Sequence, residues 1–119
     1  MVVQHPLRIS HPPSAPADAR RAENRRRLRE FLRATPRSEA ESRLELLGPA
    51  EGMPARVVTR AQLTEAIEQM RPRVRQVIRL TLEERRTREE AQAYLHGISE
   101  RTLERDQSAG LDALMELGE

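Results

Sequence analysis

With 119 residues, 34% of them charged and only 2% aromatic, the chain has material for one modest core of packed amphipathic helices rather than an aromatic-rich sandwich or barrel. Cysteine is absent, which excludes disulfides and thiol chemistry, and no apolar run approaches the roughly 18 residues of a membrane span. All 21 basic residues are arginine, so the pI reaches about 10.2 although the formal charge is only +2, and the distribution of charge matters more than its sum.

Residues 1–17 contain Pro6, Pro12, Pro13 and Pro16, which deny the segment regular hydrogen bonding, and they read as a disordered tail. There is no apolar stretch followed by a cleavage-like site, so a cytoplasmic protein is expected. His5 and His11 have no further ligand nearby and read as solvated side chains; no metal and no cofactor is expected.

Residues 18–47 read as an Arg-rich pair of helices. The first runs from a capping Asp18 to about Ala34, with Leu28, Phe31 and Leu32 as its apolar stripe. Residues 1–36 hold eight Arg against three acids, so Arg25, Arg26 and Arg29 are candidate phosphate contacts. Ser38 to Glu41 reads as a capping box opening a second helix, with Ala40, Leu44 and Leu47 at helical spacing and Gly48-Pro49 as the stop. Residues 48–58, with two Gly and two Pro, read as a linker.

Residues 59–119 read as the second domain. Thr59 to Gln62 is a capping box ahead of Leu63, Ile67 and Met70, and Pro72 suits the first turn of the next helix. Val74, Val77, Ile78 and Leu82 share a face. Thr87 to Glu90 is another capping box, opening the helix of Ala91 and Leu95. After a turn over His96-Gly97-Ile98, Ser99 caps a last helix with Leu103, Gly110, Leu111 and Leu114 on its inner side. The predicted fold class is therefore all-α: a helix-turn-helix bundle of about four helices, preceded by two N-terminal helices and a tail. On the last helix Arg101, Glu104, Arg105 and Ser108 recur at i, i+3, i+4 and i+7, opposite the inner stripe. In a helix-turn-helix such a face enters the major groove, where Arg bonds the edge of guanine.

The segment from about Leu63 to Leu117 resembles region 4 of the bacterial sigma-70 family. The matching pieces are Met70-Arg71-Pro72, Val77-Ile78-Arg79-Leu80, Thr87-Arg88-Glu89-Glu90, Gly97 to Thr102 and Gly110-Leu111-Asp112-Ala113-Leu114. The resemblance covers a little under half the chain. It implies a bacterial or phage protein whose domain reads double-stranded DNA and docks on the β flap of RNA polymerase. Carried over, Glu100, Arg101 and Arg105 would face bases, with Ser108 on the same side; Arg73, Arg79 and Arg88 are phosphate candidates by charge and position. Gln92 stands where the family has a small residue, Gln107 where an apolar one is common, and His96 adds a residue to the turn. Residues 99–119 carry two Arg against six acids, which favours an alternative: a sigma-like adaptor or inhibitor that docks on the polymerase. A DNA-packaging subunit with a similar motif is a third reading. Nothing matches the sigma region that melts promoters. An enzyme is not expected, since there is no Gly-rich phosphate loop and no His near a nucleophile. No seam for an oligomer is legible.

Overall fold

The structure, a computed structural model, describes residues 15–118. The elements in chain order are α1 (Ala15–Ala34), β1 (Arg43–Leu46), β2 (Arg56–Thr59), α2 (Arg60–Glu68), α3 (Pro72–Ile78), a π-helical turn (Arg79–Glu83), α4 (Arg88–Tyr94) and α5 (Glu100–Met115). Most of the tail, including His5 and His11, lies outside the described residues. No helix among them is long and apolar enough to cross a membrane.

The fold is not all-α. β1 and β2 pair antiparallel, with Leu44 opposite Val58 and Leu46 opposite Arg56. The helix predicted from Ser38 does not form. Length is not the reason, since α3 and α4 are shorter than the segment between Pro36 and Gly48-Pro49; what differs is where the apolar residues go. The extended alternative alternates Glu45 and Val57 outward with Leu46 and Val58 inward, and both inward residues are fully buried. Val57-Val58-Thr59 is β-branched throughout, which suits a pleated strand. The residues before β1 then serve α2 directly: the Ser42 and Ala40 carbonyls accept from the Arg60 and Ala61 amides at 2.8 and 2.9 Å. Those amides would otherwise be orphans of the first helical turn.

The stretch expected as a linker is thus the hairpin loop and its second strand. Asn24 of α1, itself buried, clamps the hairpin by accepting from the Leu47 amide at 2.8 Å and donating to the Leu47 carbonyl at 3.1 Å. Leu28 and Leu32 of α1, Leu46, Val58, Leu63, Ile67, Leu111 and Leu114 share one apolar cluster, so residues from both predicted domains close a single core. Helix α1 begins at Ala15, so Asp18 stands within its first turns rather than at the cap.

The C-terminal half follows the capping pattern. The boxes at Thr59/Gln62 and Thr87/Glu90 are complete in both directions, Ser99 accepts from the Thr102 amide, and Pro72 opens α3. At the end of α3 the helix widens into the π-helical turn, where Leu80, Thr81 and Leu82 are all buried. Three consecutive residues cannot face one core from a regular α-helix. The wider turn sends Leu82 into the main cluster and Leu80 into a second one, with Val77, Ala91 and Leu103. That second cluster holds α4 and α5 onto α3.

Candidate nucleic-acid interface

The two-helix unit of α4 and α5 is set by its turn. Leu95 ends α4, the Gly97 amide returns to the Gln92 carbonyl at 2.6 Å, and the His96 amide returns to the Ala93 carbonyl at 3.2 Å. This is a Schellman closure with His96 at the left-handed position (φ 63°) and Gly97 left-handed after it (φ 78°). The residue that lengthens the turn is therefore its left-handed pivot. Gln92 spans the turn, donating to the Ile98 carbonyl at 2.9 Å, and Gln107 donates to the Thr81 hydroxyl at 2.9 Å. Both glutamines thus use their side-chain amides to tie elements together.

On α5, Leu103, Gly110, Leu111 and Leu114 are buried, as the periodicity predicts, and Glu100, Arg101, Glu104 and Arg105 are exposed, with Ser108 half-buried. Among the described residues, neither Arg101 nor Arg105 has a carboxylate within ion-pair distance. The acids of the helix behave differently. Arg88 of α4 bridges Glu100 and Glu104, Arg73 pairs with the buried Asp106 at 2.6 Å, and Arg25 and Arg21 of α1 reach Asp112 at 2.7 and 3.4 Å. The excess of acids counted along the sequence is compensated by other elements.

The six phosphate candidates separate accordingly. Arg25, Arg73, Arg79 and Arg88 are held by acids of other elements, Arg79 by Glu68. Arg26 sits between Glu23 and Glu30 on its own helix. Hydrogen bonds from Arg26 and Arg27 hold the Glu23 carboxyl down at about 2, and the same pairing raises Arg26 further above its usual range. Arg29 alone has no acid partner among the described residues. Burial first, then the positive charges of Arg25 and Arg33, lowers its pKa from the usual arginine value. It lines a cavity of about 260 Å³ with Arg33, Arg86, Arg88, Glu104 and Gln107. Arg33 and Arg86 were not legible as site residues, though Arg29 and Arg33 stand one helical turn apart and Arg86 directly precedes a capping Thr. The candidate surface therefore combines the outer face of α5 with arginines from the C-terminal half of α1 and the approach to α4.

A second ionic group lies deeper. Arg60, 1% exposed, donates to the Thr35 carbonyl and the Thr64 hydroxyl at 2.8 Å each and to the Glu83 carboxylate. Glu83 also accepts from Arg37 through two nitrogens at 3.0 Å, and Arg37 and Arg79 share Glu68. Burial alone would raise the Glu83 pKa; the hydrogen bonds from Arg37 and Arg60 outweigh it and hold the group below the usual carboxylate value. This network pins the π-helical turn to α2 and to the residues after α1. Three or more His, Cys, Asp or Glu side chains gathered as a metal site do not occur among the described residues. No known family model, no curated protein and no solved structure matches the chain.

Proposed function

We propose that this protein is a small DNA-binding transcription regulator that lays α5 in the major groove of duplex DNA, in the manner of a sigma region 4 helix-turn-helix. The observation that carries the reading is the pair Arg101 and Arg105. They are exposed cations without an acid partner among the described residues, one turn apart on a helix whose orientation is set by a hydrogen-bonded turn. A free guanidinium there can donate twice to guanine, each such pair contributing about 1–3 kcal/mol of discrimination. Glu100 and Ser108 flank the pair, and Glu100 is prevented from repelling phosphates by its bond to Arg88.

The competing reading, a polymerase-docking adaptor, draws on the acid excess of the last helix. The pairing of Glu100, Glu104, Asp106 and Asp112 with arginines weakens that ground. The test is selection of bound duplexes from random-sequence DNA at low and high salt, followed by the Arg101→Ala/Arg105→Ala variant on the recovered site. Loss of at least about 30-fold in affinity, the lower end for two guanine contacts, is expected. An unchanged affinity removes α5 as the reader. Absence of any duplex binding, together with a salt-resistant complex with RNA polymerase, establishes the adaptor instead.

A further inference from the structure

The cavity beside α5 has a neighbour. A second hollow of about 670 Å³ is walled by Arg33, Arg37, Arg60, Arg79 and Arg85, with Glu83 and Glu84 as its acids. Arg33 lines both hollows, so they meet along α1. Most of these arginines are occupied: Arg37, Arg60 and Arg79 by Glu83 and Glu68, and Arg88 by the acids of α5. What remains is a row. Arg29, Arg33 and Arg85 have no carboxylate partner among the described residues, and Arg86 has only Glu84, in a solvent-exposed pair that contributes little.

The backbone supplies a second, independent observation. Arg85 is in the left-handed region, at φ 55°, where glycine is the low-energy choice and a larger residue is held under strain. The Arg86 amide closes this turn on the Leu80 carbonyl at 2.8 Å. In consequence, two adjacent arginines line different hollows, Arg85 one and Arg86 the other, on either side of Arg33. Unpaired cations crowded on a concave surface repel each other; burial is the main cause of the lowered Arg29 pKa, and the charges of Arg25 and Arg33 add to it. A chain of phosphates relieves that repulsion at several points together, whereas a single small anion meets only part of the row.

We propose that the two hollows form one phosphate-binding groove, with Arg29, Arg33, Arg85 and Arg86 as its contacts, taking the sugar–phosphate backbone of the duplex that α5 reads. This rests on the function proposed above, and it assigns α1 and the 85–86 turn to positioning rather than to base reading. The variant Arg33→Ala/Arg85→Gly removes two charges while keeping the left-handed turn. Both side chains are exposed, so the variant should fold, as circular dichroism will verify.

The experiment titrates the full chain with duplex DNA over a salt series, and separately with inorganic tripolyphosphate. The variant is expected to weaken binding alike on every duplex sequence. It should preserve the ranking of sites, flatten the slope of log affinity against log salt by about 1.8 (0.9 for each lost phosphate) and lose tripolyphosphate binding. An unchanged slope on a duplex that the wild type binds overturns the groove while leaving the α5 reading intact. If the wild type binds tripolyphosphate through Arg33 and Arg85 yet no duplex, the duplex is overturned as the ligand, and the proposed function fails with it. A change in site ranking also overturns the proposal, because it places the groove among the base-reading elements.

Discussion

Removing the Glu83 carboxylate should destabilise this protein more than any surface change. Arg60 is 1% exposed and Glu83 is 12% exposed, so the guanidinium has almost no water to fall back on when its counter-ion goes. In Glu83→Ala, Arg60 keeps the Thr35 carbonyl and the Thr64 hydroxyl, which are dipoles rather than a charge. Breaking a buried pair from one side costs about 3–5 kcal/mol, a large share of the about 5–15 kcal/mol that holds a domain folded. The melting temperature should fall by at least about 10 °C. The assay is urea unfolding at neutral pH, with a companion variant, Arg60→Met/Glu83→Leu, in which both charges are replaced by apolar groups. That double change should recover most of the loss, since a buried pair exchanged for packed apolar side chains is often neutral. The pH dependence has a definite sign. Glu83 titrates below its usual value when folded, so its contribution is fully present above about 4.5 and disappears as the pH falls through the lowered folded value. A Glu83→Ala variant within about 0.5 kcal/mol of wild type at neutral pH refutes the buried-charge reasoning.

Gly110→Ala places a methyl 2.7 Å from two carbons of the buried Ile78 side chain and 3.2 Å from Val74, so an overpacking loss of about 1–3 kcal/mol is expected by thermal melting. Ile78→Val in the same chain should return part of it. His96→Gly should stabilise the fold by about 0.5–1 kcal/mol, because a left-handed Schellman position favours glycine; a loss of stability would show that the His96 side chain contributes contacts that outweigh the backbone cost. Arg88→Ala should change stability by less than about 1 kcal/mol, since its pairs with Glu100 and Glu104 are exposed. It should nonetheless weaken duplex binding, because two uncompensated carboxylates then face the phosphates, and adding Glu100→Gln should restore part of the affinity.

The features legible along the chain are local ones. The capping boxes at Thr59 and Thr87, the Ser99 cap, Pro72 at the start of α3 and the buried stripe of α5 all involve partners within a few residues of each other. Their hydrogen bonds and periodicities are written in the spacing, and the outward position of Arg101 and Arg105 follows from that same spacing. The segment from Ser38 to Leu47 satisfied a helical signature just as well and folds otherwise. Its partner strand lies beyond an irregular loop, and the contest between a short helix and a strand is decided by the core that Leu46 and Val58 enter together. The π-helical turn was equally hidden, because its cause is the demand of two separate clusters on Leu80 and Leu82. Charge was the least legible property of all. Seven arginines between residues 71 and 90 look alike in sequence, yet Arg73 serves a buried Asp106, Arg79 serves Glu68, and Arg85 meets no acid among the described residues. An arginine's long side chain finds its partner in space, and only the packing of α1, the hairpin and α5 around α3 determines which cations are neutralised and which stay free to meet phosphate.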